Sequence, residues 1–130
     1  MVVYHGHIFP IWSVLFSPVG YYFASCSNDR NALVWCTKSL SPLRMFSNHS
    51  TDVESIAFHP NAHYLITGSN DKTIKMWSIE DGQCVRQFDT MSGPVRSLTF
   101  SRSGLFILSG NEHGQVTLID VLKNKPLCVV

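Results

Sequence analysis

A strict repeat limits what this chain can fold into. The stretch "ITGSNDKTIKMW" (Ile66–Trp77) restates "ASCSNDRNALVW" (Ala24–Trp35) 42 residues further on. The same step joins Phe16, Phe58 and Phe100, then Ser13, Ser55 and Ser97. It also joins Val14, Ile56 and Leu98, and Tyr22, Tyr64 and Phe106, with no gap needed anywhere. A fixed period of this length means one supersecondary unit made again and again. Each copy buries an apolar face against the next.

Within a unit the pattern is that of strands. The runs Trp12–Phe16, Glu54–Phe58 and Arg96–Phe100 each carry Ser second and apolar residues third and fifth, which is period-two alternation. Pro and Gly punctuate the turns that follow, "SPVG", "HPNA" and "SRSG". Second runs are expected at Tyr22–Ser27, Tyr64–Ser69 and Phe106–Gly110. Third runs should end at Trp35, Trp77 and Ile119, and fourth runs should cover Pro42–Phe46, Cys84–Phe88 and Pro126–Val130. No stretch has a helical period. Four short strands per 42 residues make the blade of a β-propeller. The expected fold is therefore all-β, with three four-stranded blades at 5–46, 47–88 and 89–130. The opening "MVVY" aligns with "LRMF" at Leu43–Phe46, so residues 1–4 are expected to be the last strand of a preceding blade. Propellers close with typically four to eight blades, and three cannot close. The expected context is an incomplete propeller, a fragment of a seven-bladed ring. On its own such an arc should self-associate or aggregate.

Each unit resembles a WD repeat. The family's signature is Gly-His before the first strand, Asp in the turn between strands two and three, and Trp-Asp closing strand three. Here Gly6-His7 and Asn48-His49 stand at the first place, Asp29 and Asp71 at the second, and Trp35 and Trp77 at the third. The closing dipeptide reads Trp35-Cys36, Trp77-Ser78 and Ile119-Asp120. The resemblance implies two structural tetrads: His7, Ser25, Asp29 and Trp35, then His49, Thr67, Asp71 and Trp77. Indole N–H donates, hydroxyl both donates and accepts, imidazole bridges and carboxylate accepts. In the third unit the equivalents are Met91, Ser109, His113 and Ile119. With most of the polar partners gone together, that blade is expected to fold by packing alone.

Strings that a blade does not dictate narrow the likeness. "SPVGYYFASCSNDR", "PLRMF", "HSTDV", "FHPNAHYLITGSNDKT", "GQCVRQF" and "GPVRSLTFS" together resemble the propeller of the TBP-associated factor five family. These are the WD-repeat subunits of general transcription factor TFIID, with a paralogue in SAGA-type complexes. The resemblance implies a nuclear, non-enzymatic scaffold in RNA polymerase II transcription initiation, whose partners are other protein subunits. The competing reading is a generic WD adaptor, such as the substrate receptor of a ubiquitin ligase.

Composition excludes several other functions. A formal net charge of +1, with the basic residues scattered, argues against direct nucleic-acid contact. No apolar window is long enough for a membrane-spanning helix, and "MVVYHGH" lacks the build of a signal peptide. Cys26, Cys36, Cys84 and Cys128 form no C-x-x-C pair and no compact framework, so they are expected as reduced thiols. The sequon at Asn48 is expected to be fortuitous. His5 with His7, and His59 with His63, have ligand-like spacing but no Cys beside them, so no metal and no cofactor are expected. Phosphate-loop, nucleophile-elbow and zinc-hydrolase motifs are absent from the sequence, and no catalytic residue is assigned. One position changes character between units while its neighbours do not: Trp12, Glu54 and Arg96. The residue before the turn Asp, Asn28 or Asn70, with Glu112 as counterpart, marks a second rim position. In WD propellers these places look onto the top face, so all six are candidate partner contacts, with Trp12 foremost as an aromatic anchor.

Overall fold

A computed structural model describes residues 1–89, 92–123 and 125–129, the last five as backbone. It holds three antiparallel four-stranded sheets, each in chain order. The first contains β1 (Ile11–Phe16), β2 (Tyr22–Ser27), β3 (Asn31–Cys36) and β4 (Arg44–Ser47). The second contains β5 (Val53–Phe58), β6 (Tyr64–Ser69), β7 (Ile74–Ser78) and β8 (Cys84–Phe88). The third contains β9 (Val95–Phe100), β10 (Phe106–Asn111), β11 (Val116–Asp120) and β12 (Lys125–Val129). The sheets form an open arc, and among the described residues there is no helix. Among them, accordingly, no helix is long and apolar enough to cross a membrane.

Alternation decides which way each residue faces. Ala24, Cys26, Ala32 and Val34 of the first sheet meet Val53, Ile56, Phe58, Leu65 and Trp77 of the second in one buried cluster. Ala57, Ile66, Ile74 and Met76 of the second meet Val95, Ile107, Ile119 and Val121 of the third in another. Each sheet thus has a front, carrying its Trp or Ile119, and a back, and the backs of the first two sheets are covered by the next front. The outer strand crosses the junction: Phe46 of β4 stacks on Trp77 of the neighbouring sheet at 4.9 Å, worth roughly 0.5–1.5 kcal/mol beyond its burial. Arg44 makes a second crossing, donating from Nε to the carbonyl of Ile79 at 2.8 Å.

Two expectations shift. The first fourth run begins at Arg44 rather than Pro42, although Pro126 at the equivalent place lies within β12. Residues 1–4 lie in none of the three sheets. Tyr4 nevertheless packs edge-on against Trp35 at 5.5 Å, at the repeat position where Phe46 stacks on Trp77, and its hydroxyl donates to the Thr37 carbonyl at 3.0 Å. Gly6 makes this possible. A Cβ there would come within 2.6 Å of the Trp35 ring. The fourth run of the third unit is present as β12, with Val130 and Met91 outside the described residues.

Candidate functional site

The loop before each first strand and the turn after each second strand meet at one end of the blades. In the first unit Asp29 Oδ2 lies 2.8 Å from His7 Nδ1, and His7 Nε2 lies 2.8 Å from Ser25 Oγ. Trp35 Nε1–H donates to that same Oγ at 3.0 Å. In the second unit the corresponding distances are 2.9 Å for His49–Asp71, 2.7 Å for His49–Thr67 and 2.9 Å for Trp77–Thr67. The proton order follows from the end members. A carboxylate only accepts, so Nδ1 carries the hydrogen. Nε2 then accepts from the hydroxyl, and the hydroxyl oxygen accepts from indole. Every donor is used once, which makes the buried chain favourable.

The turn itself is built to hold the Asp. Asp71 Oδ1 accepts from Thr73 N at 3.0 Å and Thr73 Oγ1 at 2.6 Å, while Oδ2 also accepts from Ser50 N at 3.0 Å. Arg30 and Lys72 sit at φ 71° and 68°, a left-handed geometry that the third unit gives to Gly114 at 80°. The sequence reading missed a second tie. Ser27 Oγ donates to the Pro10 carbonyl at 2.8 Å and accepts from Asp29 N at 3.1 Å. Ser69 repeats this with Asp52 at 2.6 Å and Asp71 N at 3.2 Å. Its signal was present in the identical "SND" of both units.

The third unit does not rely on packing alone. Ile119 is fully buried where Trp stands in the others, and Ser109 is buried in β10. His113 is exposed, and its backbone N–H donates to Asn111 Oδ1 at 2.9 Å. Asn111 Oδ1 also accepts from Gln115 N at 3.0 Å. Its Nδ2 donates to Ser92 Oγ at 3.1 Å and to Gln115 Oε1 at 2.9 Å. Loop and turn are therefore still joined, by amides nearer the surface.

Burial, with help from Lys75, holds the His49 imidazole below its ordinary value against the pull of Asp71. Burial pushes the Asp71 carboxyl up, but the hydrogen bonds from Thr73, His49 and Ser50 outweigh it and leave the group below its ordinary range. Below about pH 6.5 the unfolded chain takes up a proton at His49 that the folded chain refuses, so stability falls as the pH drops through that value. The Asp71 contribution is present above about pH 4 and is lost as the pH falls below it. Denaturant midpoints measured from pH 8 to 3 should show both steps, and His49→Gln should flatten the upper one. An unchanged upper step would assign it to another histidine.

The six rim candidates divide. Arg96 Nη1 donates to Glu54 Oε2, and Nη2 donates to Glu112 Oε2 at 2.7 Å, so one guanidinium joins the second and third units. Burial raises the Glu54 carboxyl despite Arg96. The Arg96 hydrogen bond lowers that of exposed Glu112. Trp12 is exposed and lines a shallow pocket with Glu54 and Arg96. Asn28 and Asn70 are exposed, their backbone N–H groups bonded to Pro10 and Asp52 carbonyls at 3.0 and 3.2 Å. His59 is occupied: Nδ1 accepts from Asn61 N at 3.1 Å, so Nε2 donates to the Gly104 carbonyl at 3.2 Å. Among the described residues no three His, Cys, Asp or Glu gather as a metal would need.

Residues 1–36, 40–78 and 82–120 match the family described as WD domain, G-beta repeat. The chain belongs to the WD-repeat family. Each later match in this WD-repeat chain begins ahead of one sheet's outer strand and ends with the third strand of the next, so the family unit stitches neighbouring blades together. The chain is also 42% identical over 38 residues to transcription initiation factor TFIID subunit 5 of Caenorhabditis elegans. That stretch is 29% of this chain and 6% of the relative, so the match spans only a small part of the relative's length.

Proposed function

We propose that this WD-repeat chain is a non-enzymatic interaction scaffold, part of a TFIID-type subunit that acts in the nucleus in RNA polymerase II transcription initiation. The observation that carries the reading is the 38-residue likeness to a TFIID subunit. The proposal includes repeat boundaries at 5–46, 47–88 and 89–130 within a seven-bladed ring. Residues 1–4 supply the outer strand of a preceding blade, supported by Tyr4 packing against Trp35 at the repeat position where Phe46 stacks on Trp77. The two tetrads are structural, and Trp12, Glu54, Arg96, Asn28, Asn70 and Glu112 form the partner-facing rim. Tagged protein recovered from nuclei should bring down TFIID-type subunits in stoichiometric amounts. Recovery of SAGA-type subunits in their place would move the protein to the paralogous assembly, and recovery of ubiquitin-ligase subunits would overturn the transcription reading.

Trp12 gives a narrower test. Its ring is exposed while its counterparts are Glu54 and Arg96, so little folding energy rests on it. Trp12→Ala should weaken subunit recovery roughly tenfold, as loss of an interface anchor does, and leave the melting temperature within a degree or two. A collapsed melting temperature with unchanged recovery would make Trp12 a core residue.

A further inference from the structure

Three positions of the first unit depart from the repeat in one direction. Ile8, Phe9 and Trp12 stand where the second unit has Ser50, Thr51 and Glu54 and the third has Ser92, Gly93 and Arg96. They are 81%, 55% and 51% exposed. The open end of the arc does not explain Ile8. Its counterpart Ser50 is also exposed, in a unit packed on both sides. Ile11 is a different case, because its counterparts Val53 and Val95 are buried between sheets and its exposure belongs to the bare end face. Thr51 and Glu54, the counterparts of Phe9 and Trp12, are half-buried, so part of the exposure of those two belongs to the open end. The change from polar to large apolar at all three places still makes the loop and the start of β1 an apolar knob, and such knobs mark interaction sites.

Charge lies at the knob's edge. Trp12 shares its pocket with Glu54, and Asp52 stands beside Glu54. Arg96 is divided between Glu54 and Glu112, and Lys72 acts on Glu112. On the Trp12 side Glu54 takes one bond from Arg96, and Asp52 adds a second carboxylate beside it.

We propose that Ile8, Phe9 and Trp12, edged by Asp52 and Glu54, form a docking surface for a basic amphipathic segment of a partner protein. Its apolar side chains cover the knob, and a Lys or Arg lies between the Trp12 ring face and the Glu54 carboxylate, where cation–π and ionic attraction add. This rests on reading the chain as an interaction scaffold and names the chemistry of its partner.

A randomised dodecamer peptide library selected against the whole chain tests the assignment. Selected peptides should combine Lys or Arg with large apolar residues and bind more weakly as salt is raised. Ile8→Ser with Phe9→Thr installs residues that the second unit already carries, so the fold is kept, and should lower affinity tenfold or more. Glu54→Gln should lower it severalfold and reduce the salt dependence. Val14→Ser with Phe16→Ser, on the end face, should leave peptide affinity unchanged. Selected acidic peptides that still require Ile8 and Phe9 would overturn the basic assignment and leave the scaffold reading standing. No enrichment, or full affinity in the Ile8/Phe9 variant, would overturn the surface altogether. So would phosphatidylcholine vesicles binding through the same residues while no peptide is selected.

Discussion

The 130-residue chain by itself is expected to sediment well above the mass of one chain. Its two end faces are the reason. Val14 and Phe16 on the front of the first sheet are 64% and 75% exposed, whereas Ile56 and Phe58, at the same places in the second, are 5% and 7%. Leu108 and Val116 on the back of the third sheet are 42% and 44% exposed, whereas their counterparts Ile66 and Ile74 are fully buried. A front takes a back at both internal junctions. The bare back of one chain is therefore shaped for the bare front of another, a head-to-tail contact that closes a ring or runs on into a polymer. Val14→Ser with Phe16→Ser removes two large apolar side chains, each worth about 1.5–3 kcal/mol when buried. Self-association should weaken on the order of a hundredfold. A monodisperse, cooperatively melting monomer in sedimentation would show that three blades suffice, and the ring reading would lose its main support.

Second in size is the effect of the tetrads. Asp71→Ala should cost about 2 kcal/mol, because His49, Thr73 and Ser50 each lose an acceptor at a partly buried site. His113→Ala, at the equivalent position of the third unit, should cost within about 0.5 kcal/mol. Its side chain is exposed, and its hydrogen bond to Asn111 is made by the backbone N–H. Asn111→Ala should fall between them, since the Ser92 and Gln115 contacts go with it. Chemical denaturation at one fixed protein concentration is the measurement, because association shifts apparent stability by mass action. Equal losses at Asp71 and His113 would refute the structural role of the chain from His49 to Trp77.

The 42-residue period is a property of the chain, and what depends on local order could be read from it. The expected bounds, both ends of nine strands and the last residue of the other three, lie within two residues of those observed, because side-chain direction in a strand is set by the pleat and not by distant neighbours. The members of both tetrads could be named because they stand where the WD signature places them, each set within one unit. Tertiary structure decided the rest. Glu54, Arg96 and Glu112 meet across two blades, and no periodicity says which of several charged rim residues the rotation between sheets brings within reach. Residues 1–4 have the letters of a strand, but a strand exists only against an edge that will pair with it. Ile8 and Ile11 are the same residue three positions apart. The first faces water as its sister Ser50 does, and the second is bare for want of a covering sheet, a difference that only packed counterparts can reveal.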